Sequence, residues 1–130
     1  MNKVASACGD YRNDKTVKVS NESLNAEVAS TVETRNRGLS GRPCILSNQA
    51  MLFVFETPNQ YKIWMKDMKF PIDIIWVSAD HKAVAVERDV KPSTYPHLFA
   101  NRDKPAQYVI EMKANRSAEL GINLSTPINF

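Results

Sequence analysis

The chain has 130 residues, of which 43% are hydrophobic and 24% are charged, and these proportions are typical of one globular domain. Its formal net charge of +3 is too mild and too evenly spread for a nucleic-acid interface, so no nucleic-acid partner is expected. No apolar run approaches the roughly 18 residues that a membrane span needs.

The first third of the chain predicts two strands and a short helix. Hydrophobic and polar residues alternate at 16–20 and at 24–29, which is the pattern of strands with one buried face. Ser30 and Glu33 have the spacing of a capping box. A helix is therefore predicted over 31–37, and Gly38 is expected to end it.

The rest of the chain predicts further strands separated by turns. The apolar run 51–55 and the segment 61–65 are expected to form a hairpin across a turn at 57–60. A second hairpin is expected between 72–78 and 83–87. The remaining elements are a long loop at 88–106, a strand at 107–113, a helical turn at 115–120 capped by Asn115, and a segment at 124–130 that closes the sheet.

These elements predict a mostly β fold. It is expected to be a small barrel or sandwich-like domain of about seven strands with two short helices. The domain is predicted to span 16–130, after a flexible N-terminal segment at 1–15.

The two cysteines, Cys8 and Cys44, lie far apart and lack the spacing of a metal site. Two separate structural thiols are expected, and a disulfide in an oxidising compartment is the alternative. The small residues before Cys8 match a bacterial lipoprotein processing site, which makes Cys8 a candidate lipid anchor and 1–15 a candidate remnant of a signal region. An extracytoplasmic location, periplasmic or in the cell envelope, is predicted on this basis, with a cytoplasmic location as the alternative.

Asp73 is an acid in an apolar strand, where it shares a face with Ile75 and Val77. A buried carboxylate needs partners because an unpaired buried charge is very costly. One interpretation is a structural acid that fixes the connection around Pro71, and the other is a carboxylate at the mouth of a pocket. The expected partners are the basic residues of the flanking loops, namely Lys66, Lys69 and Arg42.

The two tryptophans have different expected roles. Trp76 lies in a run without a polar face and is predicted to be a core residue, whereas Trp64 is predicted to lie at the rim of a cleft. No nucleophile arrangement, glycine-rich phosphate loop or metal motif is recognisable, so neither a cofactor nor a metal site is predicted.

Four ordered blocks of the sequence resemble a known family. The blocks are EVASTVETRNRGLSGR (27–42), AMLFVF (50–55), IWMKDMKFPIDIIWV (63–77) and YVIEMKAN (108–115). They are similar to successive blocks of the family called domain of unknown function 192. The resemblance implies a small β-rich fold but no activity, because the family has none assigned. Members of the family are often made with an export signal, which supports the interpretation of Cys8 as part of a processing site. Its recurring polar and aromatic positions fall on Glu27, Arg42, Trp64, Met65, Lys66, Asp73 and Glu111.

The chain departs from the family pattern at a few positions. Met68 stands where Thr is usual, which removes a hydroxyl beside Lys66. Asn115 stands where a late Gly is usual, and Asn tolerates the left-handed backbone conformation that Gly would supply.

Two functions from different classes follow from these residues. The first is a non-enzymatic, exported or envelope-associated binding module with a polar-rimmed cleft around 64–73 and an unknown small ligand or envelope partner. Its candidate ligand-binding residues are Arg42, Trp64, Lys66, Asp73 and Glu111. The alternative is a hydrolase or metal-dependent enzyme that uses Glu27, Asp73 and Glu111.

Overall fold

The computed structural model of this protein describes residues 7–130. They form eight strands, two short helices and a 3-10 turn at Pro92–Thr94. In chain order the elements are β1 (Lys15–Val19), β2 (Glu22–Ala29), α1 (Val32–Arg37), β3 (Gln49–Asn59), β4 (Lys62–Ile63), β5 (Ile72–Val77), β6 (Ala83–Val90), β7 (Phe99–Ala100), β8 (Ala106–Lys113) and α2 (Arg116–Glu119). None of the helices in this part of the chain is long and apolar enough to cross a membrane.

Six strands form one mixed sheet in the order β1-β2-β3-β8-β5-β6, and β4 and β7 form a separate two-stranded sheet. Strands β2 and β3 are parallel and connected through α1, whereas the other neighbours are antiparallel. The mostly β prediction is confirmed, in its sandwich-like rather than its closed-barrel form. The C-terminal segment bridges both sheet edges, because Asn129 exchanges backbone hydrogen bonds with Lys18 on β1, and Ser125 and Thr126 bond to Ala83 on β6.

Each face of the large sheet carries its own hydrophobic core. The back face includes Leu52, Ile75 and Ile110, and the C-terminal residues Ile122 and Ile128 pack against it. The front face is covered by the loop after α1 and by the loops before and after β4, and its buried residues include Phe53, Met65, Ile72, Ile74 and Trp76. Alternate residues of β5 therefore point to opposite cores, as the period of two predicts.

The hairpin predicted between 51–55 and 61–65 is wrong. Strand β3 pairs with β2 on one side and β8 on the other, while β4 pairs with β7. A continuous apolar strand such as 51–55 is buried on both faces, and it takes a central place in the sheet rather than pairing with its neighbour in sequence. The second predicted hairpin is confirmed, because β5 pairs with β6.

The helix caps differ from the predicted ones. Thr31 and Thr34 form the capping box of α1, so the box begins one residue after the predicted Ser30. Asn115 adopts the left-handed conformation, with φ at 73°, and its side chain makes no capping hydrogen bond. The side chain of Asn115 therefore does not have the predicted capping role, although its tolerance of the left-handed region is used.

The expectation of two separate thiols is wrong, because Cys8 and Cys44 form a disulfide. The fold brings their Cα atoms to 4.8 Å, which suits a disulfide, and a separation of 36 residues in the sequence gives no sign of this proximity. A sulfur in this bond cannot also carry a thioether-linked lipid, so the lipid anchor predicted at Cys8 does not fit this state. The residues Ala5 and Ser6 of the predicted processing site lie outside the described residues.

Candidate functional site

A cleft of about 510 Å³ opens on the front face of the sheet. Its walls are α1 with 38–40 on one side and β4 with 64–68 on the other. Phe53, Ile72 and Glu111 line it from the sheet. The volume lies within the ~300–1,000 Å³ range of small-molecule sites.

Short contacts hold the two walls together. The Ser40 hydroxyl donates to the Lys66 carbonyl at 3.0 Å, and the Gly41 amide donates to the Asp67 carbonyl at 2.9 Å. Gly38 ends α1 with φ at 50°, and a Cβ there would lie 3.3 Å from the Phe53 ring. A residue without a side chain at this position lets the chain pass close over the sheet, where the cleft begins.

Glu111 is the buried acid of the cleft. It lies opposite Met51 on β3 and Ile74 on β5, and only 5% of its surface is exposed. Among residues 7–130 its carboxyl group has no hydrogen-bond or ion-pair partner, but its oxygen atoms are not fully enclosed. Burial raises its pKa to about 8, so near pH 7 the group is mostly a neutral carboxylic acid. In that form it can donate one hydrogen bond and also accept.

Aromatic and basic side chains line the same cleft as this acid. Trp64 is 44% exposed, and its ring tilts against Tyr95 with 5.2 Å between the centroids. The Lys66 ammonium lies 5.6 Å from the centroid of the Trp64 ring. Lys62, on β4, also lines the cleft. Neither lysine has a carboxylate partner in the described part of the chain.

The structure places Arg42 outside the cleft lining, where it pairs with Glu27. Its two Nη atoms lie 2.6 and 3.1 Å from the carboxylate oxygens of Glu27, and Arg12 adds a third contact at 3.1 Å. The pKa of Glu27 is lowered below its usual value. Burial by itself would raise this pKa, but the hydrogen bonds and the positive charge of Arg42 outweigh the effect of burial. The stabilisation is therefore present above the usual pKa of a glutamate and is lost as the pH falls through the lowered one.

Asp73 is fully buried on the back face and does not line the cleft. Its carboxylate accepts hydrogen bonds from the backbone amides of Asp89 at 2.8 Å, Asn115 at 3.0 Å and Ser117 at 2.9 Å. The Ser117 hydroxyl donates a fourth at 2.5 Å. These bonds tie β5 to the end of β6 and the start of α2. The basic side chains predicted as its partners make none of them.

The three acids of the enzyme hypothesis are not brought together. Glu27 and Glu111 lie on the front face with Met51 of β3 between them, and Asp73 lies on the opposite face. No group of three or more His, Cys, Asp or Glu side chains is placed to hold a metal ion within residues 7–130. The cleft thus contains one of the three acids, Glu111.

Of the five predicted ligand-binding residues, Trp64, Lys66 and Glu111 line one cleft, whereas Arg42 and Asp73 do not. The lining also includes Arg35, Arg37 and Lys62. The two arginines were recognisable as basic residues at the end of a short helix, just before Gly38. Nothing in the sequence around Lys62 indicates that it lines the cleft, because its position depends on the pairing of β4 with β7.

Comparison with known proteins gives a family and a fold. The model of the family called domain of unknown function 192 (DUF192), described as an uncharacterized ACR, matches residues 15–130. No curated protein matches the chain.

Two crystal structures resemble this chain closely in fold. A protein of unknown function from Novosphingobium aromaticivorans DSM 12444 has a TM-score of 0.80 at 23% identity, covering 88% of this chain and 82% of that chain. A protein from Sinorhizobium meliloti 1021, named as a candidate transcription regulator, has a TM-score of 0.82 at 22% identity, covering 93% of this chain and 97% of that chain. At these identities the likeness establishes the fold alone.

Proposed function

This chain belongs to the DUF192 family, and from its cleft we propose that it is a non-enzymatic binding module for a small, polar, ring-containing ligand. The observation that carries the proposal is Glu111. Its side chain is almost wholly buried, yet its carboxyl group has no partner among the described residues and its oxygen atoms are not enclosed in the core, so they face the cleft. A ligand hydroxyl or carbonyl group could therefore form a hydrogen bond with it.

The other cleft residues fit the same role. Trp64 is a large exposed aromatic side chain at the rim, suited to stacking against the flat face of a ring. Lys66 and Lys62 are donors that no carboxylate of the described residues engages. Arg42 and Asp73 support the module indirectly, because they fasten the N-terminal segment and α2 to the sheet.

We expect Trp64→Ala to weaken binding of simple sugars about tenfold, because the lost stacking corresponds to roughly 1.4 kcal/mol. The probes are D-glucose, D-glucosamine and D-glucuronate, titrated into the isotope-labelled full chain and followed by amide NMR shifts. At least one sugar is expected to shift the signals of Trp64 and Glu111. Leu124→Ala is the matched control, since Leu124 is 66% exposed and lies outside the cleft lining. No shift with any of the three sugars would overturn the proposal.

We also propose that the module acts outside the cytoplasm. The support is the Cys8–Cys44 disulfide, because such bonds persist in oxidising compartments and are rare in the cytosol. In intact cells both cysteines are expected to resist alkylation until a reductant is added. Alkylation of the native protein without reductant would contradict this location.

A further inference from the structure

Charge is unevenly distributed in the cleft. The charged residues that line it are Arg35, Arg37, Lys62, Lys66, Asp67 and Glu111. Four of these are basic and two are acidic. The lining therefore has a net positive charge even with both acids ionised, and protonation of Glu111 makes it more positive.

The basic side chains of the cleft are weakly compensated by the protein. Arg35 donates to the carbonyl oxygens of Ser30 at 2.8 Å and Val54 at 3.0 Å, which leaves its charge without a carboxylate. Arg37 has only a 4.0 Å contact with Glu33, and both side chains are highly exposed. Lys62 and Lys66 have no ion pair with any described residue.

Glu111 is not the counter-ion of these groups. Desolvation alone accounts for its raised pKa, so no neighbouring cation holds it in the charged form. The cleft therefore combines a basic rim that is only weakly compensated with a neutral hydrogen-bonding group in its lining. A ligand that fits both parts has a negative charge at one end and polar uncharged groups at the other.

We infer that the ligand of this cleft bears an anionic group, either the carboxylate of a sugar acid or a phosphate ester on a sugar. The inference rests on the proposed function and names the ligand class of that site. The anion lies among Lys62, Lys66 and Arg37, the ring lies beside Trp64, and a ligand hydroxyl or ring oxygen bonds to Glu111. An anion at a partly exposed basic rim also makes the affinity fall as salt is added.

The test compares sugars that share a ring and differ in charge. D-glucuronate and D-glucose 6-phosphate are expected to bind about tenfold tighter than D-glucose, and D-glucosamine the weakest, since each exposed ion pair contributes up to ~1 kcal/mol. Dissociation constants come from NMR titrations of the full chain. The two anionic sugars show whether carboxylate or phosphate is preferred, and a preference for either supports the inference.

Paired lysine variants make the test specific to the cleft. Lys62→Gln with Lys66→Gln is expected to bring the ratio of the affinities for anionic and neutral sugars close to one, because the variant lacks the two cleft charges that favour the anion. Lys15→Gln with Lys18→Gln removes the same charge from exposed positions of β1, outside the cleft lining, and is expected to keep the preference.

The outcomes separate this inference from the function on which it rests. Equal binding of neutral and anionic sugars in the cleft would overturn the inference and leave the binding module standing. An equal loss of preference in both lysine pairs would also overturn it, because net charge alone would then be the cause. Binding of none of the sugars would overturn the proposed function itself.

Discussion

Glu111→Gln is expected to increase the free energy of unfolding near pH 9 by on the order of 3–5 kcal/mol, and to change it little near pH 5. The pKa of Glu111 is raised from 4.5 to about 8 in the folded chain. Between these values the unfolded chain loses its proton and the folded chain keeps it. Stability contributed by the protonated group is therefore present below the unfolded pKa and lost as the pH rises through the folded one. Glutamine stays neutral and removes this loss.

The measurement is urea-induced unfolding of both proteins at about pH 5, 7 and 9, with the difference between them plotted against pH. Subtracting the parent protein removes the contribution of the other titrating groups. Glu56→Gln, at an exposed position of β3, is the control and is expected to stay within ~0.5 kcal/mol of the parent. A difference that does not grow with pH would show that Glu111 is ionised in the folded protein.

Asp73→Ala is expected to lower the free energy of unfolding by about 3–5 kcal/mol, because it leaves three backbone amides and one hydroxyl, two of these donors buried and two partly buried, without their acceptor. The effect is structural, since Asp73 lies on the face opposite the cleft. Sugar affinities at temperatures where the variant is folded are expected to match those of the parent. The checks are urea-induced unfolding and the NMR titration already described.

Asp89→Asn is the matched control for that variant. The Asp89 amide bonds to Asp73, but its side chain makes only an exposed ion pair with Lys91 at 2.7 Å. Such pairs contribute little, so the control is expected to stay within ~0.5 kcal/mol of the parent. A small loss of stability in Asp73→Ala together with weaker sugar binding would contradict this prediction and indicate that Asp73 contributes to ligand binding.

The face of the sheet to which a side chain points was predictable from the sequence, because it depends only on local alternation along the strand. Alternation along β5 assigned Trp76 to a core and set Asp73 on the other face, and both assignments hold in the structure. Strand pairing was less predictable, because it depends on distant segments. The hairpin predicted between 51–55 and 61–65 was wrong because β3 pairs with the distant β8. The hairpin predicted between 72–78 and 83–87 was correct, since β5 and β6 are joined by a tight turn.

The site itself was only partly predictable. Trp64, Lys66 and Glu111 were recognisable as residues that interrupt or end apolar runs. The partners of Asp73 were not predictable, because most of them are backbone amides. Backbone amides occur along the whole chain, so the sequence does not indicate which of them will bind a given carboxylate. The disulfide was missed for a similar reason, since Cys8 reaches Cys44 only through the path of the N-terminal segment across the domain.

The proposed binding mode depends on a carboxyl group in the cleft that is protonated at neutral pH. The most direct test is a pH titration of the Glu111 side-chain carboxyl ¹³C shift in the full chain. The structure predicts a midpoint of about 8. A midpoint near the ordinary glutamate value of about 4.3 would contradict the claim, because Glu111 would then be a charged and solvated group.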